Sequence, residues 1–438
     1  MEIRQCGEVQ DSMELLELPG ISLDYLLKGL AGEEYRDDAV FQELYSWYLQ
    51  SPEYRTLVKR LTEVSFSERP SDMIGKTVAG ILYGEVSPYS ATRLERFAAC
   101  AFAHFLQYGL KVTERAEYEF RAMDMGNVMH MALEKFAAEV RKEGLDWADL
   151  TEEERNRIID DCLDQVSADY GNTVLKSSAR NEYMIERTRR ILRRTVWALQ
   201  EQLKHGEFRP EGFEVKFEGG RIDRVDIMEE PEKNRVYVKV IDYKTGNTSF
   251  DMLALYHGLQ LQLMIYLDGA LKVEQRKYPD REIVPAGIFY YNVKDPMIQE
   301  KIHADVERVQ DQVMKKLKMN GLVQADDDVS IKIDETLASI PVSRNKDGSF
   351  SRRSSVASRQ QFNALGEYVR RKICDIRESI LDGNAAVAPY ELGKKNACTY
   401  CPYITVCGFD RKIPGYEFHR LPSFSESDLW KKIMKEDE

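Results

Sequence analysis

Residues 211–245 read EGFEVKFEGGRIDRVDIMEEPEKNRVYVKVIDYKT, and the fold turns on this stretch. Phe213, Val215 and Phe217 alternate with charged residues, the period-two pattern of a strand with one buried face. Past the pair Gly219-Gly220, apolar residues resume at Ile222, Val225 and Ile227. Val236, Val238, Val240 and Ile241 then form a β-branched run suited to a pleated, buried surface. The spacing predicts three strands, with short turns at Gly219-Gly220 and at Glu229 to Asn234. Upstream, residues 151–204 read as helical and highly charged. Downstream, Gln260 to Leu271 reads as helix and Pro285 to Val293 as a further strand. Helix, three strands, helix, strand describes a mixed α/β (α+β) fold, a small mixed sheet flanked by helices.

Charges interrupt the apolar pattern at a few places. Asp242 and Lys244 close the third strand two residues apart, so both point to one face. Asp223 stands in an otherwise apolar strand alongside Val225 and Ile227. A carboxylate there is costly unless it is paired or holds a cation. Two carboxylates on adjacent strands suit one Mg²⁺ (or Mn²⁺), which takes hard oxygen ligands and keeps several waters. Such an ion activates water and steadies a phosphodiester under attack, with Lys244 orienting the water or offsetting charge. A surface ion pair between Asp242 and Lys244 is the competing reading.

His130 follows Gly126 by four residues, on an apolar helix with Met129, Leu133 and Phe136. Alone it reads as a core histidine. Beside the two aspartates it becomes a third metal ligand. Gln262 and Tyr266 are four apart and share a helix face, from which they can contact a DNA backbone or order Lys244. Read alone, they are a polar pair on an amphipathic helix. Glu214 and Glu218, just upstream of Asp223, are two further candidate ligands, and the sequence does not choose between them.

A second constellation is Cys398-x-x-Cys401-x5-Cys407 in a segment rich in Gly, Pro and Tyr. Three thiols this close suit Zn²⁺ or an iron–sulfur cluster and need a fourth ligand. Cys100 is the candidate, within a helix predicted over Ala91 to Tyr108. Ligation by Cys100 pins the C-terminal segment against the start of the domain. Of the others, Cys6, Cys162 and Cys374, the last two read as small core residues.

The remaining sequence frames these sites. Residues 1 to about 85 read as helical and acidic, without a catalytic constellation. Gly75-Lys76-Thr77 resembles the end of a phosphate-binding loop, but Pro70 holds the leading position, so a turn before a helix is expected and no nucleotide site. Ser87-Pro88-Tyr89-Ser90 marks a boundary, with Ser90 as N-cap and Gly109 closing the helix. A second helix is expected from near Met125 to about Lys142. Arg187, Arg189, Arg190, Arg193 and Arg194 form a basic cluster, read as a solvated helix face ahead of a DNA-backbone contact. Asn345 to Arg359 reads as a Ser-rich loop and Gln360 to Leu381 as a helix ended by Gly383.

With 438 residues, 43% hydrophobic and 31% charged, the chain can bury a substantial core. It contains no run of 18 apolar residues, so no membrane-spanning helix is expected. The acidic start is unlike a secretory signal, and seven cysteines suit a reducing cytoplasmic setting as ligands or free thiols. The net charge of −12, from 62 basic and 74 acidic residues, argues against coating nucleic acid by bulk charge. It leaves room for a DNA enzyme whose carboxylates hold metal.

Taken in order, Gly126-x-x-x-His130, Gly220-Arg221-Ile222-Asp223, Asp242-Tyr243-Lys244 and Gln262-x-x-x-Tyr266 resemble the motifs of RecB-like nucleases of the PD-(D/E)XK superfamily. The frame Cys100, Cys398, Cys401 and Cys407 looks like the iron-staple variant, which holds a [4Fe–4S] cluster. Ser90 to Phe97, Gly109 to Arg115, and Ile340-Pro341-Val342 with Asn345 to Ser349 look like the AddB-type members of AddAB ATP-dependent helicase–nucleases. The resemblance covers about residues 75–420. It implies that His130, Asp223, Asp242 and the Tyr243 carbonyl hold the metal and that Lys244 is the catalytic lysine. It further implies that Gln262 and Tyr266 support DNA and the site, and that the cysteines hold a structural cluster.

The implied activity is Mg²⁺-dependent exonuclease cleavage of single-stranded ends of unwound DNA, beside an AddA-like helicase–nuclease subunit, in double-strand break repair and recombination. The expected domains are 1–86, a helical remnant of a helicase-like region; 87–425, the nuclease domain closed by the cluster; and 426–438, a charged tail. A non-cleaving module that grips DNA ends or the motor subunit is the competing function. The complete set His130, Asp223, Asp242 and Lys244 speaks against it.

Overall fold

A computed structural model of the chain describes residues 19–30, 39–65, 72–84, 90–113, 122–170, 178–298, 305–326, 328–413 and 415–435. Cys6, Ser87 to Tyr89, and Glu114-Arg115 of the motif segments lie outside them. The chain divides into two compact units, 1–71 and 72–438. In the first, α1 (Pro19–Leu30), α2 (Ala39–Gln50) and α3 (Arg55–Ser65) bury Leu26, Leu44, Tyr48 and Val58 among themselves. The Ser22 and Tyr48 hydroxyls, 2.7 Å apart, satisfy each other inside that core.

The second unit contains α4 (Lys76–Tyr83), α5 (Ala91–Ala99), α6 (Ala101–His104), α7 (Ala122–Lys142), α8 (Glu152–Asp169) and α9 (Ala179–Lys204). Strands β1 (Arg209–Phe217), β2 (Gly220–Glu230) and β3 (Arg235–Lys244) follow, where the alternation predicts them. Then come α10 (Met252–Tyr256), α11 (Gln262–Lys277), β4 (Glu282–Asn292), α12 (Val306–Lys316), β5 (Asn320–Gln324), α13 (Val329–Ile333), β6 (Val356–Ala357) and α14 (Arg359–Leu381). The chain ends with β7 (Tyr390–Leu392), β8 (Lys395–Asn396), β9 (His419–Arg420) and α15 (Glu426–Met434).

The main sheet is mixed and runs in sequence order from β1 to β6. β1, β2 and β3 pair antiparallel, while β4 lies parallel to β3 after the α10–α11 crossover. β3 alternates cleanly. Tyr237, Ile241 and Tyr243 face a core built with α7, α8 and α9. Val236, Val238 and Val240 face a second core with α5, α11, α14 and α15. The sheet is thus covered on both sides, as a parallel pair at its centre requires. β2 and β3 also bury charge: Asp226 accepts from Arg224 Nε at 2.6 Å and pairs with Lys239 Nζ at 3.0 Å.

Four expectations change. The unit division falls at Ser71/Asp72, ahead of the boundary expected at 86, because α4 belongs with the larger unit. Ile74 N donates to Gly383 O at 2.8 Å, and the Gly75 backbone lies 2.7 Å from where a Cβ on Gly383 would sit, so the residue ending α14 must be glycine. The helix over Ala91 to Tyr108 is broken at Cys100, which is extended (φ −167°, ψ 116°), and Ser90 stands at the N-cap without a side-chain capping bond. The charged tail 426–438 is instead largely α15, whose Leu429, Trp430 and Ile433 are buried beneath a charged outer face. β5 and β6, too short to show a period, add two strands the sequence does not announce.

Candidate active site

The β2–β3 ladder ends at the pair Arg224–Ile241. One residue further, the Asp223 carboxylate takes over: its Oδ2 accepts from Tyr243 N at 2.8 Å. The same oxygen lies 3.4 Å from His130 Nδ1, on α7. Gly126, one helical turn earlier, lets α7 approach the loop after β3, since a Cβ there would stand 3.2 Å from Thr245 Oγ1. A side chain in place of Gly126 would therefore have to displace the Thr245 hydroxyl.

Glu214 joins from β1. Its φ of +47° is left-handed, a conformation non-glycine residues seldom adopt. Phe213 and Val215, which plain alternation would put on one face, therefore pack into opposite cores. Each of His130, Glu214 and Asp223 offers a ligand atom, all within 4.8 Å of one another. Glu218 is exposed and lines a different groove, between α11 and α14. The structure therefore brings Glu214, and not Glu218, to the candidate ligands.

Asp242, only 1% exposed, stands beside this trio at the end of β3. Its Oδ2 lies 2.7 Å from Lys244 Nζ. Its Oδ1 accepts from Gln262 Nε2 at 2.9 Å. Gln262 Oε1 accepts from Lys244 Nζ at 2.8 Å, and Gln262 Nε2 also donates to the Tyr266 hydroxyl at 2.9 Å. One amide thus joins the lysine, the aspartate and the tyrosine. Tyr290, the β4 neighbour of Asp242, lies under the ammonium with its ring centroid 5.4 Å from Nζ.

Burial and crowding of like charges set the electrostatics. Burial, then the nearby Glu214 carboxylate, push Asp223 up to about 7 against the pull of the Tyr243 amide. Burial and the Asp223 charge push Asp242 up to about 7. Burial raises Glu214, and it holds His130 below its usual range, which leaves a neutral imidazole with a lone pair for a metal at pH 7. Carboxylates forced together in a buried pocket, beside a neutral histidine, are a donor set that a divalent cation relieves.

The four cysteines also converge. Cys100, Cys398, Cys401 and Cys407 line one small apolar cavity with Phe102 and Tyr403. The break after α5 presents Cys100, with the amides of Phe102 and Ala103 pulling its thiol down against burial, which raises it. Asn396 Oδ1 accepts from the amides of Cys398 and Thr399 at 3.0 Å each, which shapes the Cys-x-x-Cys turn. Burial, with the other three thiols, pushes Cys398 up to about 11.

Of the arginine cluster, Arg189 pairs with Asp164 at 2.7 Å and Arg193 with Asp160, so these two tie α9 to α8. Two participants were given no role by the sequence: Tyr290, hidden in an apolar strand, and Glu95, inside the Ser90 to Phe97 segment, which accepts from Leu261 N and Gln262 N of a helix far away in sequence.

A family model described as the PD-(D/E)XK nuclease superfamily matches residues 88–408. A Lachnoclostridium phytofermentans protein, named as a subunit of an ATP-dependent helicase/deoxyribonuclease, is 38% identical over 438 aligned residues, which cover 95% of this chain and 38% of that protein. A protein of the same name from Alkaliphilus metalliredigens is 34% identical over 99% of this chain and 40% of its own length. Another, from Clostridium botulinum, is 33% identical over 94% of this chain and 38% of its own length. The chain thus spans about two fifths of the length of these relatives.

Proposed function

The chain belongs to the PD-(D/E)XK nuclease superfamily, and from that premise we propose that it hydrolyses DNA phosphodiesters as a Mg²⁺-dependent (or Mn²⁺-dependent) exonuclease. The observation that carries this is the convergence of His130, Glu214 and Asp223 beside the hydrogen-bonded set Asp242, Lys244, Gln262 and Tyr266. His130, Asp223, Asp242 and the Tyr243 carbonyl would hold the metal, and the structure supports adding Glu214. Mostly hard oxygen donors with one imidazole suit such an ion. When bound, it supplies Lewis-acid charge to the scissile phosphate and its attacking water.

The protein's own groups do the rest. Lys244, fixed between Asp242 and Gln262, presents its ammonium to the phosphate oxygens as their charge grows. Tyr266 accepts from Gln262, so its hydroxyl proton remains available to a phosphate oxygen. Gln262 holds both groups in one geometry before substrate arrives.

Because a metal must displace protons that Asp223 and Asp242 retain up to about 7, affinity should rise with pH through that region. At limiting Mg²⁺, cleavage should climb between about pH 6 and 8, and saturating Mg²⁺ should shift the climb to lower pH. Mg²⁺ titrations at several pH values check this, and an affinity flat across that range contradicts it.

We propose a [4Fe–4S] cluster on Cys100, Cys398, Cys401 and Cys407, in a structural role. Four thiols around one apolar cavity fit it, with mutual repulsion that iron relieves. Protein purified without oxygen should be brown, with equal iron and acid-labile sulfide. A colourless zinc protein contradicts the assignment. We further propose a place beside a motor subunit of AddA type, acting on the single-stranded ends of unwound duplexes in recombination and break repair; the relatives' shared name, a subunit of an ATP-dependent helicase/deoxyribonuclease, supports a partner subunit and DNA. Among the described residues no helix is long and apolar enough to cross a membrane, and a cytoplasmic setting is part of the same proposal.

A further inference from the structure

We propose that Glu95, on α5, is a positioning residue of the site: its carboxylate grips the first turn of α11 and so fixes the Gln262 side chain that orients Lys244 and Asp242. The inference rests on the nuclease reading above.

α11 begins without a cap of its own. Leu261 occupies its N-cap position and offers no side-chain hydrogen bond. A Ser, Thr, Asp or Asn at that place is the local solution to unpaired first-turn amides. Leu261 cannot serve, because it is fully buried in the core between α5, α11 and α14. The capping group comes instead from 166 residues earlier in the chain. Glu95 Oε1 accepts from Leu261 N at 2.7 Å and from Gln262 N at 2.9 Å. Its negative charge also sits at the positive end of the helix.

The residue whose amide Glu95 holds is the one whose side chain organises the site. Gln262 contacts Lys244, Asp242 and Tyr266 at once, at 2.8, 2.9 and 2.9 Å. A shift of the first turn therefore moves three groups together. Glu95 itself stands on a fixed base. α5 buries Leu94 and Phe97 in the same core, and the helix stops at Cys100, beside the other thiols.

The carboxylate is also an expensive choice of cap. Burial pushes it up to about 7, while the two amides and the nearby Lys244 charge pull it back. A cap serving only the helix could sit in water. This one is embedded next to Lys244 and Asp242.

The test compares Glu95→Ala, Glu95→Gln and Glu95→Asp with the parent and with Asp242→Ala, all loaded with Mg²⁺. Glutamine keeps an oxygen able to accept from both amides. Aspartate keeps the charge but falls short by one methylene. The expected result is a kcat lowered about 100-fold in Ala and at least about 10-fold in Asp, with KM for single-stranded DNA nearly unchanged, since misplacement by about 1 Å costs that much. Gln should restore kcat to within about 5-fold of the parent. If Ala does not fold, the Gln and Asp pair still decides. A kcat per folded molecule near the parent's in Ala or Asp, or a Gln variant as impaired as Asp, overturns the proposal. Cleavage by the parent that Asp242→Ala lacks keeps the nuclease reading standing whichever way Glu95 falls.

Discussion

Asp242→Ala should lower DNA cleavage by at least about 10³-fold, equivalent to roughly 4 kcal/mol of lost transition-state stabilisation. The substitution removes a proposed metal ligand and also the acceptor that fixes Lys244 Nζ and Gln262 Nε2. Lys244→Ala should cost a similar factor for a different reason: the ligands stay, so Mg²⁺ affinity should hold while cleavage falls. Measuring metal affinity and cleavage on both variants separates the two roles. The fold should survive Asp242→Ala. Asp242 is almost fully buried, and without metal its charge is a liability, so the metal-free variant should melt no lower than the parent. The sign follows from the direction of its shift. A carboxylate raised in the folded state takes stability away as pH climbs from its unfolded value, near 4, toward 7, and the alanine variant is spared that loss. Retained cleavage in Asp242→Ala would sink the assignment.

Cys401→Ser should lower the melting temperature by roughly 3 °C or more, taking about 3 kcal/mol as the cost of losing a ligand of the proposed cluster in a chain of this size. Cys100, Cys398, Cys401 and Cys407 bring α5 and the C-terminal turn to one cavity, and a proposed cluster there would cross-link the two. Around it, Tyr403 donates to Val112 O at 3.0 Å, and Cys407 N donates to Tyr403 O at 3.0 Å. The first joins the C-terminal turn to the segment after α6, and the second closes the turn on itself. Loss of the cluster should therefore free the C-terminal turn first, which limited proteolysis near residues 398–408 would report. Cleavage should decline more gradually, because α5, ending at Cys100, also carries Glu95. An unchanged melting temperature with the iron gone would contradict a structural role.

The sheet was legible because β3 and β4 are long and apolar and β2 carries its charges at telling places. Asp223, Asp242 and Lys244 announced themselves as charges in strands that had no use for them. Gln262 and Tyr266 were legible only as a pair sharing a helix face. The choice between Glu214 and Glu218 was not legible, since it depends on a left-handed residue that reverses the strand's alternation. α15 was hidden because its buried stripe of Leu429, Trp430 and Ile433 is short and surrounded by charge. Glu95 was illegible for a general reason: its partners are backbone amides 166 and 167 residues away, which leave no trace in side-chain spacing. The break at Cys100 likewise depends on tertiary contacts, among them Phe102 N donating to Ala386 O at 3.1 Å.

Metal-dependent exonuclease activity is tested on the chain purified without oxygen and mixed with end-labelled linear single-stranded DNA. Parallel reactions contain Mg²⁺, Mn²⁺, or a chelator, each with and without an AddA-type motor subunit. Progressive shortening from an end is expected with either metal, and none with the chelator. Shortening that persists in the chelator, or intact DNA in every metal-containing reaction including those with the motor subunit, would contradict metal-dependent exonuclease activity.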